Sequence, residues 1–482
     1  MDASTLKEFR AIVDDRGLIT SPEELHTYEC DGLTNFRVMP RAVLLPISVE
    51  QVRAIVRICH RERIPFVARG SGTGLSGGAL PVHNGIVISL ARMNRILEID
   101  FLNARAVVEP GVINLDVTGR VAPEEYFYAP DPSSQSVCSI GGNVAENSGG
   151  AHCLKYGFTT THVLGLEVVL PDGSLIHLGG KTLDTPGYDL AGVFVGSEGT
   201  LGIATKIILR IVKRPECIRT LLAAFPSTND AGAAVSGIIA AGMLPAAIEM
   251  MDNLAIQAAE AAVHPNYPNC GGLLLVELDG PVAEVESLMT HVDEICRTHG
   301  ASEIRMAQSD AERALFWKGR KSAFAAVGRI SPNYIVQDGV IPRTALPQVM
   351  DEIARLSQEA GLRVANVFHA GDGNLHPLVL YDRRIPGQEK AAEALSFKIL
   401  ELCIAAGGSI TGEHGVGEEK KSMMSKMFAE PDLDTMQRVR CAFDPFLLSN
   451  PTKIFPRPRL CGETPGEYVS HPLETAGIAE RF

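Results

Sequence analysis

The run Arg69-Gly70-Ser71-Gly72-Thr73-Gly74-Leu75-Ser76-Gly77-Gly78 constrains the fold more than any other stretch of the chain. The apolar residues Pro65-Phe66-Val67-Ala68 lead into it as a strand. It contains a formal Gly-x-Gly-x-x-Gly at Gly72, Gly74 and Gly77. A dinucleotide-binding βαβ unit requires a helix directly after that pattern. Here residues 79–85 give no helix, and three strand-like segments follow at 86–90, 96–100 and 106–110. We read a meander of short strands, which excludes the dinucleotide fingerprint. What remains is a small-residue loop with free backbone N–H groups, a nest for phosphate oxygens.

Two more such loops lie downstream. One contains Pro130, Asp131, Ser133 and Ser134 and continues through Ser139, Gly141, Gly142 and Asn143 to Gly150. The other runs from Val195 through Gly196, Ser197, Glu198 and Gly199 to Ile203. The 46 glycines among 482 residues exceed the usual share of about 7% and cluster in these loops. A single phosphate would not need three loops, whereas an extended cofactor carrying a diphosphate would.

The second half holds a different pattern, Val367-Phe368-His369-Ala370-Gly371-Asp372-Gly373-Asn374-Leu375-His376-Pro377. Apolar residues enter at 364–368 and leave at 378–380, with residues that reverse a chain between them. We read a β-hairpin with an imidazole at the mouth of each strand, close enough to share one metal ion. Thr411-Gly412-Glu413-His414-Gly415-Val416-Gly417 adds a carboxylate and a third imidazole. Two His and one Glu form a recurrent metal-ligand set with an open position for substrate. His414 is then left over as a candidate base.

Net charge is −13, which argues against nucleic acid as a partner and supplies no polybasic membrane patch. The ten cysteines (30, 59, 138, 153, 217, 270, 296, 403, 441 and 461) form no Cys-x-x-Cys. The chain alone is therefore not expected to hold an iron–sulfur cluster, and the scatter suits reduced thiols in a cytoplasm. The N-terminus lacks the marks of a signal peptide. The most apolar run, 231–244, is too short to span a bilayer and reads as a buried or half-buried helix. From residue 215 strands and helices alternate without glycine loops, which predicts a separate sheet covered by helices. The proline-bearing tail after Pro456 reads as irregular.

The three glycine loops, the His-Ala-Gly-Asp-Gly-Asn-Leu-His hairpin and Gly-Glu-His-Gly-Val-Gly together resemble the FAD-linked oxidases of the vanillyl-alcohol oxidase type. Within that family they are most similar to the branch of glycolate oxidase flavin subunits and D-lactate and D-2-hydroxyglutarate dehydrogenases. The resemblance covers nearly the whole chain. It implies an α+β enzyme with a helical N-terminal segment at 1–35 and a two-sheet FAD domain at 36–214. A cap with an antiparallel sheet follows at 215–456, its end returning to the FAD domain, and then a tail at 457–482.

Carried over by position, FAD would be cradled noncovalently by Arg69, Gly70, Ser71, Gly72, Thr73, Gly74, Ser76 and Gly77 of the first loop. Pro130, Asp131, Ser133, Ser134, Ser139, Gly141, Gly142 and Asn143 would serve from the second, and Gly196, Glu198, Gly199 and Ile203 from the third. Asn450 and Lys453 would close over it. The same resemblance gives His369, His376 and Glu413 a divalent metal, zinc or manganese. It makes His414 the base and assigns substrate binding to Arg320, Asn374 and His414.

Departures from relatives acting on D-2-hydroxyglutarate narrow the substrate. Phe324, Val336 and Leu378 stand where those relatives carry polar or charged groups for a second carboxylate. An unpaired buried charge would be costly there, so a small monocarboxylate such as glycolate or D-lactate is expected. D-2-hydroxyglutarate is the alternative substrate; a metal-dependent hydrolase and a non-catalytic FAD-binding subunit are alternatives of other classes. The family further implies an iron–sulfur subunit, a second FAD-domain subunit and quinone as acceptor. It places the chain in the cytoplasm, peripheral to the membrane through those partners.

Overall fold

The computed structural model describes residues 1–182, 186–456 and 461. The irregular tail expected after Pro456 falls almost wholly outside these residues. The first half is built on two principal sheets. The smaller takes the order Leu18–Ile19, Val43–Leu44, Ile86–Ser89, Phe66–Arg69. Its last three strands are parallel, and the strands on either side of the first glycine run are direct neighbours. The expected meander is thus split: Ile86–Ser89 belongs to this sheet, while Ile96–Asp100 and Arg105–Val108 begin the second. The N-terminal segment is not an appendage, because Leu18–Ile19 pairs with Val43–Leu44.

Helix Val49–Glu62 covers this sheet. Ser48 caps it by accepting from the N–H of Gln51, and Val52, Ile55, Val56 and Cys59 form its buried face at helical spacing. The second sheet has five antiparallel strands, ordered Ile96–Asp100, Arg105–Val108, Ile203–Arg210, Val163–Val169, Leu175–Gly179. The second glycine stretch departs from expectation. Ile140–Glu146 is a helix, not a loop. Ser139 caps it by accepting from the N–H of Gly142 at 3.3 Å, and Ile140 and Val144 bury its i,i+4 stripe.

The second half is one large antiparallel sheet. Its order is Glu303–Met306, Cys217–Phe225, Gly272–Gly280, Ala247–Asp252, Val364–His369, Asn374–Leu375, Gly339–Val340. Its central strands are apolar on both faces because both faces are covered. Leu221, Ala223 and Phe225 pack with Ile248, Met250 and Phe368 in one core, beneath helices Thr228–Ala240, Val282–Thr298 and Leu346–Ala360. Leu222 and Ala224 pack with Ala247, Met251 and Val367 in the other, against helices Asn253–Val263 and Asp310–Val327. By the same alternation, Glu249 and His369 project onto the face that carries Asp310–Val327. That arrangement positions the site.

The expectation of reduced thiols fails for one pair, since Cys441 and Cys461 are disulfide-bonded; the other eight cysteines are free. Sequence spacing cannot show that Cys461 lies against Cys441 of helix Glu430–Phe443. Among the described residues, no helix is long and apolar enough to cross a membrane. The run at 231–244 lies largely in the helix Thr228–Ala240, which buries Ala231, Ala234, Val235 and Ile238.

Candidate active site

The hairpin forms as its sequence dictates. Val364–His369 pairs with Pro377–Tyr381, and His369 faces Asn374 across the reversal. Gly373 has φ +83°, and a Cβ there would sit 2.1 Å from the carbonyl oxygen of Ile341, so only glycine fits the turn. The imidazoles of His369 and His376 are buried with ring centroids 5.1 Å apart.

Glu413 closes the set from the second motif. Its Oε1 lies 3.3 Å from Nε2 of His369 and 3.3 Å from Nε2 of His376. Ligand atoms at ~2.0–2.1 Å from a tetrahedral ion lie about 3.3 Å apart, so these three groups fit a divalent metal. Both ring nitrogens of His376 are buried without a hydrogen-bond partner, the mark of ligand atoms not yet spent.

The loop bearing Glu413 is held by carboxylates on both sides. Asp338 accepts from the backbone N–H of Gly412, Glu413 and His414 and from the Thr411 hydroxyl, and it pairs with Lys420 at 3.3 Å. Glu198, from the first half, accepts from the N–H of Val416 and Gly417, each at 2.7 Å. The two halves thus grip one loop. The imidazole of that loop, His414, stacks on His376 at 5.0 Å between centroids.

Charge follows burial and neighbours. Burial works against the charged form of His369, but Glu249 and Glu413 overcome it and raise its pKa well above the usual value. For Glu413 burial is outweighed by His369, His376 and His414, and its pKa is lowered. His414 is the reverse case. Burial, aided by His376 and Lys420 and opposed by Asp338, brings it down to about 4. Asp338 is held well below the carboxylate range against burial by His414, Lys420 and His376.

A cavity of about 620 Å³ runs between the halves. From the first half it is lined by Arg69, Gly70, Ser71, Gly72, Thr73, Gly74, Ser133, Ser134, Ser139, Gly141, Gly142, Asn143, Glu198, Gly199 and Ile203. At the cap end it meets His376, Glu413, His414, Phe324, Val336, Tyr334 and Tyr381. The three glycine stretches and the His/Glu cluster therefore share one space. A long cofactor with its reactive end beside the metal-ligand candidates fits it.

Other expected residues stand behind the wall. Asn450 donates to the carbonyls of Gly78 and Glu198, and Lys453 to that of Leu80, so both brace the loops from outside the cavity. The carbonyl of Ser76 takes the N–H of Glu418 and Glu419, and Gly77 abuts Glu418. The N–H of Gly196 is tied to the carbonyl of Val144, and the carbonyl of Pro130 accepts from Asn114. Asn374 is buried against Gly412. Leu378 lies in the core rather than on the wall.

Two expected residues have charged partners and lie off the main cavity. Asp131 accepts from His152 at 2.9 Å and lines a separate smaller cavity. The pull is electrostatic, because His152 also reaches Glu277 of the cap at 3.2 Å. Arg320 is 2% exposed, does not line the cavity, and lies 2.5 Å from Oε2 of Glu249. A buried guanidinium needs a counter-charge, and Glu249 is the one at hand. The neighbouring cation that lines the cavity is Lys321.

Sequence reading missed Glu249, Asp338, Glu146, Lys321 and the strap Gly32–Asn35, the last three of which line the cavity. Glu249 did carry a signal, as the one carboxylate within the apolar run 246–251. Nothing comparable marks the strap, because its contacts with the first glycine loop are long-range.

Comparison with known proteins agrees with this geometry. The FAD binding domain family matches residues 40–179, and the family of FAD linked oxidases, C-terminal domain, matches 214–454. Glycolate oxidase subunit GlcD of Escherichia coli (strain K12) is 51% identical over 480 residues, 99% of this chain and 96% of that one. The subunit of the same name from Bacillus subtilis (strain 168) is 40% identical over 89% of this chain and 92% of its own length. Among solved structures, 4-ethylphenol oxidase from Gulosibacter chungangensis superposes with TM-score 0.78 at 19% identity, covering 94% of this chain and 97% of that one. That likeness gives the fold. With both family domains matched in order and the cavity lying between them, this chain belongs to the FAD-linked oxidases and is a flavin-dependent oxidoreductase.

Proposed function

We propose that this enzyme oxidises a small 2-hydroxy monocarboxylate, glycolate or D-lactate, to the 2-oxo acid. The observation that carries this reading is the cavity joining the glycine loops to His376, Glu413 and His414. The full-length likeness to glycolate oxidase subunits supports it. When bound, FAD supplies the two-electron acceptor for the α-hydrogen. When bound at His369, His376 and Glu413, a divalent ion supplies the charge that lowers the pKa of the substrate hydroxyl.

The chain's own groups do the rest. His414 is neutral at pH 7, its pKa lying near 4, and it lines the cavity, so it is free to take the hydroxyl proton. Asp338 then steadies the imidazolium. Arg320 keeps Nε and Nη2 free of hydrogen bonds, and those donors suit a carboxylate fork. Phe324 is close to both Arg320 and His376, 5.8 Å and 5.6 Å away respectively. With Val336 it presents an apolar wall that favours a short substrate without a second charge. The glycine loops would hold FAD noncovalently, and its electrons would leave to partner subunits with an iron–sulfur group and then to quinone. The word subunit in the relatives' names supports such an assembly, which keeps this chain cytoplasmic and peripheral to the membrane.

The test is an anaerobic titration of the yellow protein with glycolate, both lactate enantiomers and D-2-hydroxyglutarate, with and without chelator. Glycolate or D-lactate should bleach the flavin, and chelator should slow that bleaching. Preferential bleaching by D-2-hydroxyglutarate would overturn the size argument, and no bleaching by any of the four would overturn the reading itself.

A further inference from the structure

Strand Ala247–Asp252 lies antiparallel to Val364–His369, and the register sets Glu249 directly opposite His369. Glu249 is 1% exposed in a strand whose other residues are almost all apolar. Its Oε1 accepts from Nδ1 of His369 at 2.7 Å. Its Oε2 lies 2.5 Å from Nη2 of Arg320, on the helix Asp310–Val327 that covers this face. The second contact is an ion pair without hydrogen-bond alignment, since Oε2, Nη2 and Nε all lack a hydrogen-bond partner. One carboxylate therefore touches a metal-ligand candidate with one oxygen and the substrate-carboxylate candidate with the other.

We propose that Glu249 is a positioning residue that couples the metal site to substrate recognition, an inference that rests on the roles proposed above for His369 and Arg320. Through Oε1 it fixes His369 in the tautomer whose Nε2 faces Glu413 with its lone pair free. Carboxylate partners of ligand histidines act in this way, and their loss typically weakens metal binding 10–100-fold. Through Oε2 it holds a buried guanidinium in place while leaving the donors of its fork unspent. Those donors are left for the carboxylate of a substrate that reaches them past the Phe324 ring, which lines the cavity 5.8 Å from the guanidinium.

Two variants separate the two oxygens. Glu249→Ala removes both contacts. Glu249→Gln keeps an oxygen for His369 but turns an NH₂ toward Arg320, donor against donor. Mn²⁺ is added to chelator-treated, flavin-loaded enzyme and its binding is followed by electron paramagnetic resonance. Anaerobic flavin reduction gives the substrate dependence. Glu249→Ala should bind Mn²⁺ about 10–100-fold more weakly. Glu249→Gln should bind it nearly as the parent does, yet raise KM about tenfold with kcat little changed. An unchanged flavin spectrum in both variants shows that the fold survives. Parental Mn²⁺ affinity in Glu249→Ala, or a parental KM in Glu249→Gln, would overturn the proposal. A parent enzyme that takes up no Mn²⁺ would instead sink the metal reading above, while the KM comparison still decides the hold on Arg320.

Discussion

Two ionic clusters lie where the halves of this molecule meet, and they differ in how fully their polar atoms are used. In the first, His369, His376, Glu413 and His414 meet at the large cavity, and both nitrogens of His376 and Nδ1 of His414 have no partner. In the second, His152 bridges Asp131 and Glu277. Glu277 further accepts from the Thr220 hydroxyl at 2.6 Å and from Nε1 of Trp317 at 2.7 Å, and pairs with Arg313 at 3.4 Å. Both clusters pair histidine with carboxylate. The first leaves buried atoms idle, at a cost that only a bound ligand would repay. The second spends its carboxylates on neighbours and serves as cement. Unused buried donors and acceptors, rather than the residue types, distinguish a site from a joint.

That distinction is broken most directly at His414. His414→Ala should slow anaerobic flavin reduction by substrate about 10²–10⁴-fold, the span of a lost general base, with flavin content unchanged. A rate near that of the parent would remove the base from the account. His376→Ala should come next, lowering the same rate at least about 100-fold and abolishing Mn²⁺ uptake. Retained Mn²⁺ affinity would show that the idle nitrogens are not ligands.

These effects bear on how far the sequence could be read. The hairpin and the Glu-His loop were legible because glycine, histidine and carboxylate in those orders have few uses. Their meeting, across the 37 positions from His376 to Glu413, was a matter of tertiary packing. What the sequence does not show is a partner whose interaction is long-range and electrostatic. Asp131 sits in a loop that looks made for a phosphate, yet His152 claims it. Arg320 occupies the position of a substrate clamp, yet Glu249, some 70 residues earlier, neutralises it. The helix Ile140–Glu146 was hidden by its two glycines, and only the cap at Ser139 and the buried Ile140 and Val144 reveal why it forms.

The second cluster should respond to pH and not to substrate. Burial opposes the charge on His152, but Asp131 and Glu277 raise its pKa to about 10. A raised folded-state value gives stability that is complete below the unfolded value of ~6.5 and is lost as pH rises through about 10. The pKa values of Asp131 and Glu277 are both lowered, so their share is lost instead as pH falls through the acid range. His152→Gln should therefore destabilise by about 2 kcal/mol near pH 6. This is below the ~3–5 kcal/mol of a fully buried pair because its side chain is 22% exposed. The gap from the parent should shrink toward pH 10 in denaturant melts. A gap of constant size would mean that packing against Trp317, not charge, is what the histidine contributes.

The smallest effect tests the glycine side of the comparison. A Cβ on Gly70 would lie 2.1 Å from Oγ of Ser139, while its next neighbours, the N–H of Gly142 and Cβ of Ser139, stand at an ordinary 3.5 Å. Gly70→Ala therefore has one way out, which is to drive the Ser139 hydroxyl off the N–H of Gly142. Ser139→Ala removes that cap outright. Each change should cost about 1 kcal/mol, the usual worth of an N-cap. The double variant should cost scarcely more than either alone, because the second change has nothing left to displace. Urea midpoints of the four proteins decide the matter. If Gly70→Ala costs as much beside Ala as beside Ser at position 139, then the glycine is needed by what the cavity holds and not by the helix cap behind it.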